Sequence, residues 1–160
     1  MSIDVQVVRE GGRPELEVRL GEPELALLRS LLEQFMSLVR DDSGTDPALR
    51  RLFPAGYRDD PDAAAEFEQY TRAGLVERKS SAAASLLRAI EDDAVLRAPA
   101  DTIERWLPVF TDLRAVLAER LGIHHDGDHG DGLMGEVYDW LGAFQWNLVE
   151  AVDEIAEGGR

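Results

Sequence analysis

Apolar residues recur every three or four positions through the second half of the chain, and that spacing admits little other than α-helix. Ile103, Trp106, Phe110, Leu113, Leu117 and Leu121 share one narrow arc of a helical projection. Val137, Leu141, Phe144, Leu148, Val152 and Ile155 repeat the pattern further on. Pro99-Ala100-Asp101 marks a start for the first of these helices and Gly122 its end. Pro108 should kink it or mark its true first turn. Toward the N-terminus, Leu25, Leu28, Leu32, Phe35 and Val39 form a third stripe, which Leu27, Leu31 and Leu38 widen. That helix is expected to be buried on more than one side.

The first twenty residues have a different period. Ile3, Val5 and Val7 alternate with Asp4, Gln6 and Val8, and Leu16, Val18 and Leu20 alternate with Glu17 and Arg19. Gly11-Gly12 lies between them. This predicts a β-hairpin. A lone hairpin is marginal in water, so it needs helices beneath it or a further strand, for which Val95-Leu96-Arg97 is the candidate. The expected architecture is one α+β domain over 1–160, predominantly helical. A hairpin at 3–20, extendable to a three-stranded antiparallel sheet, packs on four to five helices at 22–40, 47–53, 61–92, 100–121 and 134–156. Gly74 is a point at which the 61–92 segment can divide, and 122–133 reads as a flexible His/Asp/Gly loop.

At 160 residues the chain can bury a core without metal or disulfide support, and it contains no cysteine. Thiol redox chemistry, disulfides and zinc-thiolate sites are excluded. Met1-Ser2-Ile3-Asp4 lacks the basic-then-apolar pattern of a signal peptide, and no apolar run is long enough for a bilayer. A cytoplasmic protein without membrane contact is expected. The formal net charge of −15 opposes DNA, which is held largely through its phosphates. The densest basic stretch, Arg72, Arg78, Lys79 and Arg88, reads as a solvated helix face, with a DNA-binding helix as the alternative.

No nucleophile stands with a base and an orienting group, and no glycine-rich loop follows a strand with a Lys-Ser/Thr ending. The chain is therefore read as a non-enzyme without cofactor. Clustered imidazoles and carboxylates in 124–132 offer His124, Asp126, Asp128 and His129 as metal ligands, although no EF-hand register fits. The plainer reading is a turn-rich solvated loop. Arg114, with Asp112 and Asp139, is expected to form a structural ion pair between the last two helices. Trp146 lies opposite the apolar arc of its helix, beside Asp139, Gly142 and Glu150, and is a candidate contact for another chain, a second copy included. Cover by the hairpin or the His-rich loop is the intramolecular alternative. Trp106 and Phe110 lie on the apolar arc and belong to the core.

Leu52-Phe53-Pro54-Ala55-Gly56-Tyr57-Arg58-Asp59-Asp60-Pro61 is a helix stop followed by a start, with Asp60 placed to cap and Pro61 in the first turn. Tyr57, Arg58 and Asp59 can face a partner or pin the turn to the core. This run, continuing to Phe67, is one of three segments that resemble the actinobacterial "domain of unknown function 2017" family. The second is Trp106-Leu107 with Thr111-Asp112-Leu113-Arg114 and Arg120-Leu121-Gly122-Ile123. The third is Tyr138-Asp139-Trp140-Leu141 followed by Gln145. The resemblance spans essentially the whole chain, with Pro108 and Phe110 departing from it. It implies a regulatory protein, since members are described as oxidative-stress transcriptional regulators that act through cysteine oxidation and contact with the transcription machinery. Without cysteine, the implied role runs without a thiol switch. The acidity then favours a protein partner, such as a sigma factor or polymerase subunit, over DNA.

Overall fold

The computed structural model describes residues 1–9, 11–41, 43–53, 61–92, 95–125 and 130–158, with the side chains of the long 61–92 helix described from 72 to 91. Strands β1 (Asp4–Val8) and β2 (Glu15–Arg19) pair antiparallel through Val5↔Val18 and Val7↔Leu16, as the alternation predicts. Gly11 and Gly12 turn the chain between them with φ of 69° and 147°, a region closed to most side chains. The third strand forms where expected: β3 (Val95–Pro99) pairs antiparallel with β2, which becomes the central strand. Leu16, Val18, Leu96 and Ala98 are buried on the inner face.

The described residues form five helices, of which the last three in chain order make the main contacts with the sheet. The five are α1 (Glu22–Val39), α2 (Leu49–Leu52), α3 (Pro61–Asp92), α4 (Ala100–Leu121) and α5 (Gly132–Gly158). Glu22 and Glu24 place negative charge in the first turn of α1, where the macrodipole favours it. Its stripe of Leu28, Leu32, Phe35 and Val39 is buried. The 61–92 segment does not divide: α3 runs unbroken through Gly74, which is exposed and open on the side a Cβ would occupy. Pro108 is not a first turn either, because α4 begins eight residues earlier and carries the proline in its interior.

The end of α4 follows its glycine. Gly122 adopts φ 73° and ψ 27°, and the amides of Gly122 and Ile123 donate back to Glu119 O (3.3 Å) and Ala118 O (2.8 Å). This is the paired closure that a left-handed residue permits, with buried Ile123 supplying its apolar contact. Helices α4 and α5 make the largest helix–helix interface. Phe110 stacks tilted on Phe144 at 4.7 Å, Trp140 meets Phe144 edge-on at 5.6 Å, and Trp106 is buried and donates its indole N–H to Ser85 Oγ (3.1 Å). Both sheet and helices contribute to the same hydrophobic cluster. No described helix is long and apolar enough to cross a membrane.

Candidate functional site

The outer face of α5 is the first place where chemistry is left over after folding. The inner stripe (Val137, Trp140, Leu141, Phe144, Leu148, Val152) is consumed by the core. Trp146 points the other way and is 64% exposed. Helical geometry places Gly142 and Ala143 on one side of it and Glu150 on the other. From Gly132 to Gly158 the helix contains no lysine or arginine, while Glu136, Asp139, Glu150, Asp153, Glu154 and Glu157 are all exposed. The result is a large aromatic ring set in an acidic helix surface.

Beside this face, the expected clamp of Arg114 with Asp112 and Asp139 takes a different form. Asp112 pairs with Lys79 of α3, Nζ to Oδ2 at 2.8 Å. The Arg114 guanidinium lies over the Tyr138 ring, 4.4 Å from its centroid, and against Gly142. Its Nε is buried without an acceptor. Asp139 is exposed and makes no ion pair among the described residues. Spacing decides this: Arg114 is close enough to the α5 surface for its flat cation to stack, and Asp112, two residues away, turns toward α3 instead.

A groove between α3 and α4 is the second location. Its volume is about 650 Å³, and the Lys79–Asp112 pair lies in its wall, both side chains mostly buried. Burial pushes the Asp112 carboxyl above its ordinary range, against the opposing pull of the Lys79 ammonium. Arg78 and Arg105 border the same groove, as does Pro108. The basic stretch read from sequence is thus dispersed by function. Arg72 stacks on Phe53 at 4.6 Å, Lys79 is engaged by Asp112, and Arg78 and Arg88 remain exposed.

A third cluster ties the end of α4 to α2 and the preceding loop. Arg120 grips Asp46 with two hydrogen bonds of 2.7 and 2.6 Å, holding the Asp46 carboxyl at about 2. Arg51 pairs with Glu119 (2.7 Å), donates to Ile123 O (2.7 Å), and lies 3.1 Å from His124 Nδ1. Because a guanidinium only donates, that ring nitrogen is the acceptor in this contact. The other proposed ligands, Asp126, Asp128 and His129, lie outside the described residues, as do Tyr57, Arg58 and Asp59. Among the described residues no three His, Cys, Asp or Glu side chains gather as a metal site.

Two features had no sequence signal sufficient to find them. The Lys79–Asp112 pair joins residues 33 positions apart, although the single lysine of the chain marked the position as unusual. Glu17 is almost fully buried on the outer face of the sheet, between Arg19 Nε (2.7 Å) and Arg97 Nε (2.8 Å). Alternation alone predicts that it is solvated.

No curated protein and no solved structure shows significant similarity to this chain. One family profile, described as Domain of unknown function (DUF2017), matches residues 5–152, from β1 into the last turns of α5. The chain belongs to the DUF2017 family.

Proposed function

We propose that this protein is a non-enzymatic regulatory protein that acts by protein contact, with the outer face of α5 as its docking surface and Trp146 as the anchor. The observation that carries the reading is the 64% exposure of Trp146 on a well-packed helix. Tryptophan is among the residues most enriched at binding hot spots. The acidic flanks favour a basic partner surface and oppose nucleic acid. The resemblance to stress regulators makes a component of the transcription machinery the partner class to test, in a cytoplasmic setting and without a cysteine switch.

The engagement of Lys79 by Asp112 and of Arg72 by Phe53 weighs against the alternative of DNA binding through the Arg72–Arg88 helix. The test places a photo-crosslinking aromatic amino acid at position 146 in vivo. The expected result is one dominant adduct with a transcription component, lost when Glu150 and Asp139 are changed to Lys. Adducts only with a second copy of the chain would reassign the face to homodimerisation. In that case Trp146→Glu yields monomers in sedimentation. An unchanged transcript profile on deletion would remove the regulatory reading.

A further inference from the structure

The α3–α4 groove lies apart from the α5 face, with no α5 residue in its lining. Its floor is apolar, formed by Leu75 and Ala82 of α3 and by Trp106 and Val109 of α4. Its volume of about 650 Å³ is within the range of small-molecule sites, roughly 300–1,000 Å³. Its polar groups are unusual for this molecule. In a chain of net charge −15, three cations border one groove: Arg78, Lys79 and Arg105, against Glu77 and Asp112. Lys79 is held at depth by Asp112, whereas Arg78 makes no ion pair among the described residues and Arg105 has only a long hydrogen bond to Thr102 Oγ1, 3.4 Å. A largely desolvated ion pair adds little to stability compared with an apolar pair of similar size, so its place in a groove wall points to use. Two guanidiniums remain at the groove's border without a carboxylate partner among the described residues, and a guanidinium matches a carboxylate in geometry as well as charge.

We propose that this groove binds a small amphipathic carboxylic acid. The apolar body lies on Leu75, Ala82, Trp106 and Val109, and the carboxylate is held at the rim by Arg78 and Arg105, with Lys79 behind them. Charge selects the occupant: the same apolar floor with a cationic head group would be repelled by Arg78 and Arg105, since Asp112 already balances Lys79. Trp146 belongs to a different face and does not line the groove.

The experiment titrates the full chain, labelled with nitrogen-15, with decanoate and separately with decyltrimethylammonium, below their micelle concentrations. The Trp106 indole N–H, hydrogen-bonded to Ser85 in the groove, is the reporter, and the Trp146 indole is the control. Assignment uses Trp106→Phe and Trp146→Phe. Decanoate is expected to shift the Trp106 signal saturably and leave Trp146 in place, while decyltrimethylammonium leaves both. Arg78→Glu/Arg105→Glu, both exposed positions, should weaken decanoate at least tenfold with an unchanged melting temperature. Equal binding of both head groups, or decanoate affinity that survives the charge reversal, would overturn the proposal. So would shifts confined to Trp146, or no saturable shift at all.

Discussion

Single residues in this protein show how burial sets the worth of a charge. Lys79 and Asp112 are both mostly buried, and desolvation already raises the Asp112 carboxyl. Removing one partner strands the other. Lys79→Met should cost about 2–3 kcal/mol in urea unfolding, somewhat below the range for a fully buried pair, and adding Asp112→Leu should recover most of it. A double variant as unstable as the single would refute this account. Asp46 is the opposite case, a carboxyl held at about 2 by the hydrogen bonds of Arg120 and by the Ala48 amide. Its folded value lies below its unfolded one. The stability it contributes is therefore complete above about pH 4 and lost as pH falls toward 2. Asp46→Asn should flatten the acid limb of a stability–pH profile across that window and lower stability at pH 7. A wild-type acid limb retained in the variant would refute it. Neither pair was visible in the sequence. The sequence groups Asp112 with Arg114 and Asp139 in an ion pair between the last two helices, but Asp112 pairs with Lys79 of α3, a partner from another element that local spacing cannot show.

At the scale of elements the sequence was far more legible, because hydrophobic period reports which face a segment buries. It located α4 at Ala100–Leu121 and placed Trp106 and Phe110 in the core. It also found β3 from three residues. It was less informative where breakers stand inside helices, since propensity is weak beside tertiary packing. Both Gly74 and Pro108 lie within continuous helix. Two helical glycines now separate by environment. Gly74 is open to solvent, so Gly74→Ala should stabilise by about 0.5–1 kcal/mol through helix propensity alone. Gly135, buried at the start of α5, has the Gly130 backbone carbonyl where a Cβ would go. Gly135→Ala should destabilise by about 1–3 kcal/mol as the backbone yields. Thermal melts of the two variants should shift in opposite directions, and a shared sign would contradict these surroundings.

For the molecule as a whole, charge is segregated. The net −15 is not spread evenly, because α5 has no cation while the described arginines concentrate on α2, α3, α4 and the sheet. Composition reveals only the sum, whereas the order of residues along the chain shows the division and packing decides which faces carry it. The same distance governs the sheet. Glu17 bonds Arg97 across 80 residues, and the three helices α1, α2 and α3 are made in between. Closing so long a loop carries an entropic cost that grows only slowly, by about 0.6 kcal/mol per doubling, but it must be met before strand pairing returns anything. Pairing of β2 with β3 should therefore follow the rate-limiting step. Glu17→Gln should speed unfolding and leave refolding nearly unchanged in stopped-flow chevrons, and a proportionate slowing of refolding would exclude this order. On the ribosome the hairpin emerges well before the strand that completes the sheet. Until Val95–Pro99 follows it out of the exit tunnel, β2 carries a bare strand edge, and that interval is when a nascent copy is most open to capture by a chaperone or by its neighbours.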